Sequence, residues 1–241
     1  MKRFLQKLFN IAGYQCRRLA PGPNEDPFVF AQHLLKAAQP VLFDVGAHHG
    51  QTATRLRELF PSAIIHCFEP FPESYSVLER ATAGDLRIQR HRLGLSDRLG
   101  TAKMNCNTST ATNSLLATDR RASATWGEGL YDTADRIDVR TTTLDAFCVA
   151  ESIDSIDLLK IDTQGTEYAV FEGAADILSR RAVGVIVFEM ITAKTYERQR
   201  LPSDYFKLLE SHGYALSGVF SPIYRAGLLA QCDMAFTPRE C

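Results

Sequence analysis

Val41-Leu-Phe-Asp-Val-Gly-Ala-His-His-Gly50, followed by Gln51-Thr-Ala-Thr-Arg-Leu-Arg-Glu-Leu59, decides the fold of this 241-residue chain. An apolar run stops at glycines and resumes with helical spacing. That predicts a strand over residues 41–45, a tight loop and a helix over residues 51–59. A junction of this kind sets bare backbone at the N-terminus of a helix, where unpaired N–H groups meet a ligand.

Outward from the loop the alternation repeats. Strands are predicted at residues 63–68, 86–93, 137–140, 157–161 and 183–188, with helices at 28–38, 72–81, from 144, at 166–179 and over most of 194–213. Residues 214–220 and 231–236 read as a closing hairpin. Strands alternating with helices imply an α/β fold, a mostly parallel sheet covered on both faces. Residues 101–135, rich in Thr, Asn, Ser and Ala and holding Trp126, break the rhythm and read as a lid-like insertion on the substrate side.

Lys2, Arg3, Lys7, Arg17 and Arg18 lie among Phe4, Leu5, Leu8, Phe9 and Ile11, which makes residues 2–18 an amphipathic basic helix. A helix capping the domain is the favoured reading and contact with a membrane surface the alternative. The chain thus divides into an arm, 1–39, and one domain, 40–241.

Lys+Arg 27 against Asp+Glu 28 leaves no basic footprint for nucleic acid and favours a small-molecule or weakly charged substrate. The six cysteines include no CxxC pair, no apolar run reaches membrane-spanning length, and no cleavable leader is evident. A cytoplasmic protein is expected, and a homo-oligomer is left open.

Asp44 stands where a dinucleotide fingerprint would have its first glycine, and its carboxylate would repel a pyrophosphate. A ligand with an amino group suits it better. Glu69, at the end of the second strand, is placed to take the hydroxyls of a ribose. Together they describe an aminoacyl nucleoside, S-adenosyl-L-methionine. Asp157-Leu-Leu-Lys-Ile-Asp162-Thr-Gln-Gly165-Thr-Glu167 brings Asp162 to the same sheet edge with Lys160 on the same face, and Val183-Gly-Val-Ile-Val-Phe-Glu189 ends a second strand in a carboxylate. His48, His49 and His91 lie near that edge without metal-ligand spacing.

These blocks, with Phe68-Glu-Pro70, Gly94-Leu-Ser-Asp97, Thr143-Leu-Asp-Ala-Phe147 and Phe171-Glu-Gly-Ala174, resemble the FkbM family of S-adenosylmethionine-dependent methyltransferases. The resemblance spans roughly residues 41–189. It implies the class I, Rossmann-like methyltransferase fold with a seven-stranded mostly parallel sheet, an antiparallel C-terminal hairpin and helices on both faces. It also implies that Asp44, Gly46, Ala47 and Gly50 line the methionine part of the cofactor, with His48 in the same loop. Glu69 and Pro70 would meet the ribose, and Leu95 and Ser96 the adenine. Ser114 falls in a short stretch, Asn113-Ser-Leu-Leu116, similar to a family signature. Gln164 departs from the pattern, since relatives often carry an acid there.

O-methylation of a sugar, glycan or natural-product hydroxyl is the activity expected. A high-pKa hydroxyl benefits from a base or a cation. Asp162 and Glu189 are the candidates, singly as base or jointly as ligands of Mg²⁺, with Lys160 paired to either; Asp162 is equally read as a cofactor-binding residue, hydrogen-bonded to cofactor or loop backbone. A nicotinamide-dependent oxidoreductase and a non-catalytic cofactor-binding module are the competing readings.

Overall fold

The computed structural model describes residues 22–239, so the basic segment 2–18 lies outside the described residues. Helix α1 (Pro27–Leu34) begins where Asp26 accepts the N–H groups of Phe28 and Val29 at 2.8 and 3.1 Å. It ends short of the expected Ala38 because Leu35 is already extended. β1 (Val41–Val45), α2 (Gln51–Leu59), β2 (Ile64–Phe68), α3 (Pro72–Ala81) and β3 (Ile88–His91) follow in alternation. β1, α2 and α3 keep the bounds read from the sequence.

Next come β4 (Gly94–Leu95), β5 (Gly100–Asn107), a 3-10 turn (Thr110–Thr112), α4 (Ala122–Trp126), β6 (Thr133–Thr142) and α5 (Leu144–Glu151). The chain resumes its alternation with β7 (Ile156–Ile161), α6 (Glu167–Glu172), α7 (Ala175–Ser179), β8 (Val183–Ile191) and α8 (Pro202–Ser211), and closes with β9 (Tyr214–Arg225) and β10 (Leu228–Pro238).

The main sheet has seven strands in the order β3-β2-β1-β7-β8-β10-β9. All pairs are parallel except those made by β10, which runs antiparallel to β8 and β9. This is the mostly parallel sheet with an antiparallel hairpin that the sequence implies. β1 has β2 on one side and β7 on the other, so the winding reverses there and opens a crevice at the strands' carboxyl ends.

Strand alternation sorts the core into two layers. Phe43, Val45, Leu159, Ile161, Ile186 and Phe188 face α5 to α8, while Leu42, Ile65, Leu158, Val185 and Val187 face α1 to α3. Each such side chain, fully withdrawn from water, contributes about 1.5–3 kcal/mol. Both faces of the sheet are therefore buried under apolar layers.

Four expectations need correction. The segment 101–135 is not a loop at its ends: β5 and β6 pair antiparallel, and β4 joins β6 to make a second, three-stranded sheet. The polar residues mislead because only one face of that sheet is apolar, where Met104, Cys106 and Val139 pack on Phe71. β8 runs on to Ile191, so Glu189 lies inside the strand opposite Asp233 of β10 rather than at its end. Residues before Pro202 form a loop, tied by the Gln199 side chain to the N–H groups of Thr195 and Tyr196.

The single helix expected over 166–179 is two, α6 and α7, broken at Gly173. Gly173 lies against the residue that follows β4, where a Cβ would come 2.1 Å from the Ser96 carbonyl oxygen. Its φ of −78° would by itself favour alanine. Steric contact with backbone wins over that preference, so Gly173→Ala should destabilise the fold by about 2 kcal/mol in urea unfolding.

Candidate active site

Asp44 and Lys160 are register partners on the adjacent strands β1 and β7, so their side chains emerge on one face. They form an ion pair at 2.9 Å with both residues buried. Burial pulls the Lys160 ammonium toward neutrality, but Asp44 and Asp162 outweigh it and hold its pKa above the usual lysine value. The ammonium also donates to the Gly46 carbonyl at 3.1 Å, which ties the pair to the loop above it.

That loop lies across the end of β7. Gly46 has φ +78°, and a Cβ on it would stand 1.8 Å from the Asp162 carbonyl oxygen. Only glycine permits the crossing. The N–H groups of Gly46 and Ala47 both reach the Phe68 carbonyl at 3.0 Å, and Asp162 donates its N–H to Val45 at 2.9 Å. The ends of β1, β2 and β7 are thereby laced together.

Glu69 closes the second side. One carboxylate oxygen accepts the His48 N–H and the other the Phe71 N–H, each at 2.9 Å. Burial raises its pKa to about 7 against the effect of those two donors. His48 is held at φ +46°, strained for a non-glycine residue. Its ring stacks on His49 at 3.7 Å and places Nε2 2.9 Å from the Thr110 hydroxyl. Burial, then His49, lowers its pKa, which favours the neutral ring.

The third side is the turn after β7. Buried Glu167 accepts the N–H groups of Thr163 and Gly165 at 2.9 and 3.0 Å and so shapes the turn. Gln164, at φ +55°, sends its amide nitrogen to Asp162 Oδ1 at 2.9 Å and to Glu189 Oε2 at 2.8 Å. Its amide oxygen accepts the Tyr196 hydroxyl at 2.9 Å. Gln231 of β10 donates to the other oxygen of Glu189, whose carboxyl is pushed well up by burial and by Asp162.

A cavity of about 310 Å³ opens between these sides. Of the residues expected there, Gly46, Ala47, His48, Glu69, Pro70, Leu95, Lys160 and Asp162 line it. Four others do not. Asp44 is fully buried and engaged by Lys160, so it is no contact for an amino group. Gly50 turns the chain into α2 behind the loop, with its Cα against Leu78. Ser96 donates to Asp97 and lines a separate shallow depression. Glu189 sits behind Gln164.

The arrangement gives no support to a joint cation site at Asp162 and Glu189. Asp162 and Glu189 meet through an amide donor, which ligates no metal, and among the described residues no group of three or more His, Cys, Asp and Glu side chains is set to hold one. Thr110, Asn113, Leu115 and Gln164 complete the cavity wall and were not expected in it. The Asn113-Ser-Leu-Leu116 stretch was a signal for two of them, Asn113 and Leu115. Nothing in the sequence pointed to Thr110 or to Tyr196, which arrives from a loop read as helix.

The model of the methyltransferase FkbM domain matches residues 44–216. The 2-O-methyltransferase NoeI of Sinorhizobium fredii (strain NBRC 101917 / NGR234) is 31% identical over 152 residues, 61% of this chain and 62% of that protein. The chain therefore spans under two thirds of that relative. Methyltransferase sdnD of Sordaria araneosa is 24% identical over 214 residues, 78% of this chain and 80% of that one. Among solved structures, an rRNA methylase from Streptococcus thermophilus has a TM-score of 0.53 at 8% identity, covering 92% of this chain and 100% of its own; this likeness is one of fold.

The buried pair generates a stability test. Lys160→Met leaves the Asp44 carboxylate without a counter-charge and should cost about 3–5 kcal/mol in urea unfolding at pH 7. Asp44→Asn combined with Lys160→Met removes both charges and should recover most of that loss. Equal losses in the single and double variants would mean that the pair matters through packing alone.

Proposed function

The chain belongs to the FkbM methyltransferase family, and from that premise we propose that it transfers the methyl group of S-adenosyl-L-methionine to a hydroxyl of a sugar, glycan or other natural product. Family membership makes it a methyltransferase, which displaces the nicotinamide oxidoreductase and the non-catalytic module. The observation that carries the cofactor is Glu69. It is a buried carboxylate on the cavity wall whose two oxygens each take one backbone N–H and keep further lone pairs for a pair of ribose hydroxyls. Gly46 and Ala47 line the same cavity, where the aminoacyl part would lie beside them. Hydroxyl transfer is supported by the likeness to a relative that is a 2-O-methyltransferase.

When bound, the cofactor supplies a methyl group on a positively charged sulfur, an electrophile that requires no covalent nucleophile from the protein. What remains for the chain is to align the acceptor, keep water out and receive a proton. Leu93, Leu95, Met104 and Leu115 give the cavity its apolar wall. Asp162 is the proton acceptor in this reading: Oδ1 is held by Gln164, and Oδ2 lies 3.9 Å from Lys160 Nζ, too far for a hydrogen bond. The acceptor hydroxyl would give its proton to Oδ2 as its oxygen takes the methyl carbon, while the methyl–sulfur bond breaks and the sulfur leaves as a neutral thioether. Lys160, engaged by Asp44 and Gly46, provides positive charge and no proton.

Ribose hydroxyls donate to the ionised form of Glu69, so binding draws off the proton that burial favours. Affinity for S-adenosyl-L-homocysteine, read by calorimetry, should rise about tenfold from pH 6 to pH 8 and level off above. Glu69→Gln should flatten this dependence, and Glu69→Ala should weaken binding about thirtyfold at pH 8. No binding by the wild type would overturn the proposal. Asp162→Asn should keep cofactor affinity and lower kcat about a hundredfold or more with labelled cofactor and a panel of mono- and oligosaccharides.

A further inference from the structure

We propose that Gln164 is a positioning residue for the transfer: its carboxamide, anchored by Tyr196, holds Asp162 so that one carboxylate oxygen stays free for the acceptor. The inference rests on the reading of Asp162 as proton acceptor. It explains a position where a residue other than an acid stands at the centre of the site.

The orientation of the amide is settled by its neighbours. A carboxylate oxygen accepts and does not donate, so the amide nitrogen faces Asp162 Oδ1, at 2.9 Å, and the amide oxygen is left for the Tyr196 hydroxyl at 2.9 Å. Burial pushes the pKa of that hydroxyl well up, so it remains a donor. The same hydroxyl lies 3.2 Å from the Thr112 carbonyl, and Ser114 Oγ donates to the Gln164 carbonyl at 2.7 Å. The connection between β5 and β6 therefore grips the turn that carries Gln164.

The clamp matters because a competing partner is close. The Asp162 side chain is about a third exposed, at 36%, and Oδ2 is 3.9 Å from the Lys160 ammonium. A small rotation would convert that separation into a direct ion pair. Lys160 already contacts Asp44 at 2.9 Å and Gly46 at 3.1 Å but has a third N–H to offer. With Oδ1 fixed by Gln164, the rotation is opposed and Oδ2 remains an unoccupied acceptor. Glu189, taking the second N–H of the same amide at 2.8 Å, anchors the amide from behind.

Gln164→Met keeps the length of the side chain and removes both donors; Gln164→Leu, which also has no donor, serves if the first does not fold. In turnover with labelled S-adenosyl-L-methionine and the saccharide panel, either should lower kcat about tenfold to a hundredfold with cofactor affinity unchanged within about twofold. In an Asp162→Asn background the same substitution should add almost nothing, because it acts through Asp162. A crystal structure of the variant should show Asp162 turned onto Lys160 at about 3 Å. Wild-type kcat in the Gln164 variants, additive losses in the double variant, or an unmoved Asp162 in the crystal would overturn the inference. Failure of the wild type to bind the cofactor would instead strike the reading beneath it.

Discussion

The pairing of Asp44 with Lys160 governs the rest of the molecule. Two charges are withdrawn from water beneath the glycine loop, and the cost of desolvation is set against a contact of 2.9 Å and the Gly46 carbonyl. Such a pair adds little net stability compared with two apolar side chains of the same size. Its effect is on register. Asp44 and Lys160 are directly opposed across β1 and β7, and a slip of one residue would turn the lysine to the opposite face and leave the carboxylate buried alone. The apolar residues around them, Leu42, Phe43, Leu158 and Leu159, are too alike to enforce one register so strictly.

Setting that register sets the site. With β1 and β7 locked, the Gly46 turn falls on the Asp162 carbonyl, Glu69 of the neighbouring strand meets the His48 N–H, and Asp162 stands as the partly exposed acid of the group. The three carboxylates then differ by surroundings rather than by chemistry. Asp44 faces a cation, Glu69 faces backbone donors, and Asp162 faces an amide on one side and open space on the other. Glu189 is a fourth acid with both oxygens held by amides, and its contribution runs through Gln164.

The sequence was legible where local chemistry decides structure. Val41–Val45, Gln51–Leu59 and Pro72–Ala81 took their predicted bounds because proline, glycine and an apolar period mark both ends. Glu69, Asp162 and the glycine loop were found because strand ends of an α/β sheet converge. The failures share a cause in contacts distant along the chain. Asp44 was read as a ligand group because its partner lies 116 residues away. Gly173 breaks a helix only because the Ser96 carbonyl is there, and β5 with β6 looked like a loop because half of each is polar. Tyr196 enters through a segment whose composition suits a helix, and only the tertiary fold tells that its hydroxyl ends at Gln164.

The placement of β10 has one more consequence, which concerns the making of the protein. β10 follows β9 in the chain yet sits inside it, between β8 and β9. On a ribosome, β8 emerges with an apolar edge that stays unpaired through the synthesis of α8 and β9, an opening for mispairing with another nascent chain. Only when β10 slides in is that edge closed, and the same step delivers Gln231 to Glu189. Completion of the sheet and completion of the polar network behind the turn are one event, so a nascent chain has no finished site to offer before it is safely folded.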